Sequence, residues 1–502
     1  MVFLPITIII FFILGKYEDK RLPVIWLVFA SLFYYGWWNP AYLILIIGSM
    51  GANFLFGRIL LDCLNKKRKY NKIVLFLGVT LNLLLLGYFK YANFFVDNIN
   101  SFSSSTLYLK TIVLPLGISF FTFEQIAYLV DAYRGETKRY SVWHYCTFVS
   151  FFPQLIAGPI AHHKEIIPQL DNRSIYKFNH EYFSAGITIF FIGLFKKVMV
   201  ADKMAVFATS VFDAAESGYL LTFFEAWTGV LAYTFQIYFD FSGYSDMAVG
   251  LGRMFGIKLP FNFNSPYKAT SIIDFWRKWH MTLSKFLRDY LYIPLGGNRK
   301  GTIHRYKNLI VTMLLGGLWH GAGWTFVVWG ALHGFYLIIN NLWRQLRKYL
   351  IKNKTGTTYL GRSFSTLITF IAVIVAWVFF RAESFQGAMI ILEGMVGNNG
   401  IILPNLYQLK FDGLATYISA IGVDFGNVNH VMSPYYILYL CSLFIIVLAF
   451  PNSQEIIFES EKINFKFLRW KPNLLWILLT LVISIISLMN LSRVSEFLYF
   501  QF

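Results

Sequence analysis

Apolar runs alternate with short polar or basic breaks along nearly the whole chain. The runs fall at about 2–14, 22–37, 41–61, 73–89, 111–130, 146–160, 183–201, 221–239, 308–331, 332–343, 364–380, 435–450 and 473–491. A spanning helix needs about 20 mainly apolar residues, so this pattern predicts about 10 to 12 spans. The runs at 146–160 and 332–343 are short and read as re-entrant or partial helices. Such segments persist at membrane depth only where protein or a water-filled cavity covers their ends.

Two stretches depart from this plain alternation. Asn308–His333 (NLIVTMLLGGLWHGAGWTFVVWGALH) contains no Asp, Glu, Lys or Arg and is long enough to cross a bilayer. His320 lies twelve residues in, roughly 18 Å along a helix. An ionisable group at that depth is costly and marks a functional site by default. Gly316, Gly317, Gly321 and Gly323 surround it. They allow either close helix packing or a kink with room for a substrate. His333 is thirteen residues on, about 20 Å along a continuous helix, and is expected in a different site or in none. Whether the stretch is one straight helix or breaks at its glycines stays open.

Just before it, Ser271–Tyr292 (SIIDFWRKWHMTLSKFLRDYLY) has helical periodicity. Trp276, Trp279, His280, Leu283, Leu287, Tyr290 and Leu291 share one face, and Arg277, Lys278, Thr282, Lys285, Arg288 and Asp289 the other. Ser271 and Asp274 form a capping pattern, and Asp274–Lys278 and Lys285–Asp289 are i,i+4 pairs. A basic amphipathic helix rich in tryptophan lies in the membrane interface. His280 sits at its apolar face, either as an ordinary hydrogen-bonded interior histidine or as a companion to His320. The adjoining PLGGNRKG (294–301) breaks the helix. It reads as a basic turn, or as a cradle in which Asn298, Arg299 and Lys300 hold a phosphate-bearing donor. A polar knot, YFDFSGYSD (238–246), holds Asp240 and Asp246. Asp240 is expected either to pair with a histidine or to hold a kink. Glu124 is a similar lone acid in an apolar run.

Composition sharpens this picture. The 502 residues are 57% hydrophobic and 14% charged, against about 25% charged in soluble domains; the chain is a polytopic membrane protein. The net charge is +18. It concentrates in clusters such as KKRK (66–69), Arg344–Lys354 and Lys462–Lys471, which are topology determinants rather than nucleic-acid contacts. Alternation puts these and Arg134–Arg139 inside, NINSFSSST (98–106) outside, and the N-terminus outside. The first run reads as a retained helix rather than a cleaved signal. Lys196 and Lys197 interrupt a run and fit neither side. Cys63, Cys146 and Cys441 are far apart and lack metal-ligand spacing, so neither a disulfide framework nor a metal site is expected. Cys146 reads as a buried membrane cysteine rather than a thioester nucleophile.

FDFSGYSDMAVGLGRMFGIKLPFNFNSPYKATSIIDFWRKWHMTLSKFLRDYLYIPLGGNRKG (239–301) and LLGGLWHGAGWTFVVWGALHG (314–334) resemble the membrane-bound O-acyltransferase family. They look most like its bacterial branch of alginate O-acetyltransferase membrane subunits. FFPQLIAGPI (151–160), AWVFFRAESF (376–385) and FLYFQF (497–502) look like the same branch. The resemblance implies an all-α polytopic fold, a ring of helices with re-entrant and interfacial helices around a central tunnel. The chain reads as one domain over 1–502: N-terminal helices in 1–250, a catalytic core in 251–343 that holds the interfacial helix 271–292, and C-terminal helices in 344–502, with an outer loop over about 382–433 where basic residues are few. The resemblance makes His320 the catalytic residue and His280 the second active-site position. Beside them, Trp276, Trp279, Trp319 and Asp240 are candidate substrate contacts. No bound cofactor or metal is implied. Acetyl-CoA is the expected donor, an extracytoplasmic acetyltransferase the expected partner, and an envelope or exported polysaccharide the acceptor, all at a bacterial inner membrane. Two alternatives stay open: transfer of D-alanyl or another acyl group to cell-wall polymers, and a polysaccharide or lipid transporter with histidine proton relays.

Overall fold

A computed structural model describes residues 2–66, 69–103, 107–155, 158–350, 358–429, 434–458, 465–491 and 498. Some of the stretches singled out in the sequence lie outside them: Lys67 and Arg68 of KKRK, Ser104–Thr106, Ile156–Ala157, the ends of both later basic clusters, residues 430–433, and FLYFQF except Leu498.

The chain is all-α in substance. Helices α1 (Phe3–Leu14), α2 (Arg21–Trp38), α3 (Ala41–Asn65), α4 (Asn71–Leu86), α5 (Ala92–Ser103) and α6 (Ile118–Arg134) lead into the short α7 (Val142–Ser150), α8 (Phe152–Leu155) and α9 (His163–Leu170). Next come α10 (His180–Phe195), α11 (Asp202–Glu216), α12 (Phe223–Met254), α13 (Ile272–Trp276), α14 (Met281–Leu287), α15 (Thr302–His320), α16 (Trp324–Leu350) and α17 (Tyr359–Arg381). Among the described residues, five helices are long and apolar enough to cross a membrane: Ala41–Leu64, Asn71–Ser103, His180–Glu216, Trp324–Tyr349 and Tyr359–Arg381. That is fewer than the apolar runs predict. Several remaining helices are short or polar: α6 has 17 residues, and α12 carries Glu225, Asp240 and Asp246.

The expected outer loop at 382–433 is built rather than irregular. It holds α18 (Phe385–Met395), then β1 (Ile401–Pro404), α19 (Asn405–Ala420) and β2 (Val423–Gly426), with the two strands paired in parallel. Then come α20 (Pro434–Ala449), α21 (Ser453–Phe458) and α22 (Leu474–Met489). The expected boundaries at 250/251 and 343/344 both fall inside helices, α12 and α16.

Basic segments gather at one end of the bundle. Arg139 pairs with Asp62 near the start of KKRK, Arg134 donates to the Asp289 carbonyl at 3.4 Å, and Lys285 meets Glu165 at 2.6 Å. Arg381 and Asp213, 4.0 Å apart, lie at the ends of α17 and α11 away from those segments.

Two hydrophobic clusters form the interior. One joins the N-terminal helices to Leu283, Phe286 and Trp319. The other joins α11, α12, α17 and α18 to Phe275, Trp279 and Trp329. The 271–292 segment therefore crosses the seam between them.

Helix α12 is the central post, running unbroken for 32 residues through the polar knot. It packs antiparallel to α10 at paired glycines: a Cβ on Gly186 would lie 2.7 Å from the Gly250 carbonyl, and one on Gly193 2.5 Å from the Gly243 carbonyl. Small residues let helix backbones approach where lipid offers no hydrophobic drive to associate. Lys196 and Lys197 then turn inward on a π-helical turn, Lys196–Ala201. Lys196 meets Asp246 at 2.6 Å, and Lys197 meets Asp240 at 2.6 Å and Asp202 at 2.8 Å. Asp240 also accepts the Leu498 backbone N–H at 3.3 Å. The partner of Asp240 is thus a buried lysine, not a histidine.

Gly193→Leu or Gly250→Leu should destabilise the protein by about 1–3 kcal/mol, because backbone atoms cannot yield to the new side chain. Thermal unfolding in detergent, read by size-exclusion fluorescence, checks this.

Candidate active site

The uncharged stretch 308–333 is not one span. Helix α15 ends at His320, Gly321 is extended (φ −155°), and α16 starts at Trp324. The two helices fold back as an antiparallel hairpin in near-backbone contact: a Cβ on Gly317 would meet the Phe326 carbonyl at 2.2 Å, and one on Gly330 the Met313 carbonyl at 2.4 Å. At Gly321 a Cβ would strike the Phe326 ring. The glycines therefore make a reversal, not a kink in a straight rod.

A helix that ends in the interior leaves carbonyls without intrahelical partners. Lys90 and Tyr91, on the π-helical turn Gly87–Tyr91 between α4 and α5, supply the donors. Lys90 Nζ donates to the carbonyls of Trp319 (2.6 Å) and His320 (2.9 Å), and Tyr91 Oη to that of Leu318 (2.7 Å). A cation at a helix C-terminus is also favoured by the dipole. The sequence signal was present: Lys90 is the lone charge in an aromatic stretch, GYFKYANFF.

His280 is not on a helix face. The expected helix 271–292 is split into α13, α14 and a π-helical turn, Arg288–Tyr292. His280 stands at the break with φ 41° and ψ 56°. It and Ser265 are the non-glycine residues with positive φ among those described. Left-handed geometry costs an ordinary residue roughly 1–2 kcal/mol, so the surroundings must hold it. Asn262 accepts the Met281 N–H on its carbonyl (2.9 Å) and the Thr282 hydroxyl on Oδ1 (2.6 Å), and Asn264 N–H reaches the Lys278 carbonyl (2.9 Å). Of the expected local pairs, Asp274–Lys278 forms at 3.0 Å. Lys285–Asp289 does not, because Lys285 goes to Glu165 and Asp289 to Arg288.

The break brings the two imidazoles together, fully or almost fully buried, with ring centroids 6.3 Å apart. Trp319 lies 5.0 Å and Trp329 5.1 Å from His320, and Phe241 4.7 Å from His280. His333, expected elsewhere, belongs to the same aromatic box because the chain folds back. It lies 4.8 Å from Trp329 and accepts the Trp276 indole N–H on Nδ1 at 3.2 Å. Trp279 packs with Phe275 and Trp377, which in turn lie 6.1 and 6.4 Å from His333. Asn298, Arg299 and Lys300 are exposed in a loop tied down by Asn308 Nδ2 to the Gly297 carbonyl at 3.0 Å.

A cavity of about 780 Å³ opens beside Thr282 and is walled by Glu124, Asp131, His162, Lys164 and Tyr290. Asp131, His162 and His163 bring three ligand-type atoms within 4.8 Å of one another. Their hydrogen bonds fit a buried carboxylate better than a metal. His162 Nδ1 accepts the Lys164 backbone N–H at 3.2 Å. That network assigns its proton to Nε2, 2.9 Å from Asp131. The Lys164 ammonium lies 3.0 Å from the same oxygen. Burial holds the His163 imidazole below its ordinary range, against the pull of Asp131. Glu124 accepts the Ala161 N–H at 3.2 Å.

Lys90→Met should leave buried carbonyls at the end of α15 unpaired, at about 1–3 kcal/mol each. Lys90→Arg should recover part of the loss. Thermal stability of both variants in detergent checks the cap.

The family model of the membrane-bound O-acyltransferases matches residues 71–380. A peptidoglycan O-acetyltransferase of Helicobacter pylori is 41% identical over the whole chain and 95% of its own length. A probable alginate O-acetylase of Pseudomonas aeruginosa is 41% identical over 82% of the chain and 76% of its own length. A teichoic acid D-alanyltransferase of Streptococcus thermophilus is 28% identical over 53% of the chain and 68% of its own length.

Proposed function

Since the chain belongs to the membrane-bound O-acyltransferase family, we propose that it takes acetyl from cytoplasmic acetyl-CoA and delivers it to hydroxyls of an envelope glycan. The observation that carries this reading is the buried His280–His320 pair, 6.3 Å apart at the capped end of α15. We take peptidoglycan as the acceptor, because similarity to the peptidoglycan O-acetyltransferase runs the length of the chain, whereas the alginate acetylase match covers 82% of it. An extracytoplasmic partner acetyltransferase and a bacterial inner-membrane location belong to the same proposal. The family assignment sets aside transport as the primary activity.

A hydroxyl is a poor nucleophile at its own pKa. A neutral His320 imidazole about 2.6–3.2 Å from it takes its proton as the oxygen attacks the thioester carbonyl. The new C–O bond forms, and the tetrahedral oxyanion needs a donor. His280, across the seam, is the group we assign to it. The intermediate collapses by breaking the C–S bond, and the proton passes from His320 to the departing thiolate. Trp319 and Trp329 flank the imidazole and restrict the space that a reacting carbonyl can occupy.

In membranes given labelled acetyl-CoA, label should appear in glycan. His320→Ala should lower transfer about 10²–10⁴-fold, and His280→Ala about 10²–10³-fold as an oxyanion donor. Full activity in His320→Ala would remove its assigned role. Label from a D-alanyl carrier but not from acetyl-CoA would overturn the choice of acyl group.

A further inference from the structure

Trp319 immediately precedes His320 at the end of α15, and its indole stands beside both imidazoles. Its ring centroid lies 5.0 Å from that of His320 and 6.2 Å from that of His280. With the imidazoles 6.3 Å apart, the three rings mark the corners of a compact triangle. The indole is held from behind. Phe123 stacks on it at 5.0 Å with the planes 19° apart, and Phe120 meets it edge-on at 5.7 Å. Lys90 Nζ, already bonded to the Trp319 carbonyl, lies 5.8 Å from the ring centroid, within reach of a cation–π contact. The N–H of this fixed ring is the exception. Trp319 Nε1 is buried and makes no hydrogen bond among the described residues. Indole nitrogen is a donor only, and a buried donor without an acceptor is costly. Buried tryptophan usually finds a partner for it, as Trp276 does on His333 Nδ1 in the same box. Packing explains an aromatic ring at position 319, but phenylalanine would pack without that cost. A donor with no protein acceptor, held rigidly beside two imidazoles, suits an acceptor oxygen carried by the substrate. Trp329 Nε1 also lacks a partner among the described residues. Trp319 is favoured because it meets both imidazoles, whereas the Trp329 ring stacks on Trp377 at 6.1 Å and meets His333 at 4.8 Å.

We propose that Trp319 is a further catalytic residue: its indole N–H donates to the carbonyl oxygen of the acyl group, beside the donor assigned to His280. This rests on the acyl-transfer reading. As the hydroxyl oxygen attacks, the new C–O bond forms and the carbonyl π pair moves onto the carbonyl oxygen. Negative charge grows there while Trp319 keeps its own proton, so its hydrogen bond strengthens from ground state to transition state. When C=O re-forms, the C–S bond breaks with its electron pair on sulfur, and the proton from His320 neutralises the thiolate. A ring already clamped by Phe123, Phe120 and Lys90 needs no reorganisation to serve this step.

The probe is the ketone analogue of acetyl-CoA in which a methylene replaces the sulfur, so the acyl group cannot leave. Calorimetry on the full-length protein in detergent reads its binding. Isotope-edited infrared spectroscopy, with the carbonyl carbon labelled, reads the stretch of the bound ketone. A hydrogen bond from Trp319 predicts a lower frequency in the parent protein than for the free ketone in an apolar solvent. Trp319→Phe should move the stretch toward the free value. Trp319→His, a ring of similar size that keeps an N–H, should retain part of the shift, and Trp329→Phe should leave it in place. In the transfer assay Trp319→Phe should lower kcat about 10²–10³-fold with KM little changed. An unshifted carbonyl in the parent, or a shift that Trp319→Phe leaves in place, overturns the proposal while acyl transfer stands. A shift removed by Trp329→Phe instead assigns the donor to α16 and overturns it too. If the analogue does not bind, acetyl-CoA as donor and this proposal fall together. If Trp319→Phe does not fold, the parent and Trp319→His decide, and an identical stretch in those two overturns the proposal.

Discussion

The end of α15 is a helix terminus placed where water cannot complete it. In an apolar interior each unpaired backbone carbonyl is costly. Ending a helix there therefore requires donors brought from another part of the chain. Lys90 and Tyr91 meet that requirement across some 230 residues of sequence. The position of His320, the turn at Gly321–Gly323 and the return of α16 depend on that pairing, and the return carries Trp329 and His333 into the same box.

The same local device recurs. Three π-helical turns, Gly87–Tyr91, Lys196–Ala201 and Arg288–Tyr292, each carry side chains that reach other elements. The first supplies the cap. The second sends Lys196 and Lys197 to Asp246 and Asp240. The third carries Tyr290 to Asp131 at 3.1 Å. A π-bulge inserts one residue into a helix and re-aims the side chains beyond it, which is why such turns gather at functional places. Here they let long apolar helices contribute polar contacts at chosen depths without being broken.

The membrane class, the basic clusters and the two histidines that the fold brings together, His280 and His320, stood out in the sequence. His320 stood out because a charge-free stretch held an ionisable group, and the WRKWH and LWHGAGW stretches carried the family resemblance. The features that escaped reading were non-local. His333 looked remote because 1.5 Å per residue assumes an unbroken helix, and Gly321 breaks it. Helical spacing points Lys285 to Asp289, but Glu165, 120 residues away in sequence, is the partner it meets. Asp240 was legible as a buried acid, yet its lysine lay in a run that seemed only interrupted. The left-handed turn at His280 had no glycine to announce it, because the Asn262 and Asn264 contacts fix it from outside.

The hairpin also has a consequence for biogenesis. Its tip docks on a cap made of residues that leave the ribosome some 230 positions earlier, and chains are built N-terminal part first. The receptor for the tip therefore exists in the bilayer before α15 and α16 emerge. Neither helix has to settle the buried reversal alone: the pair can enter together and find its depth from Lys90. Membrane insertion of His320 is in this sense templated by an earlier segment of the same chain.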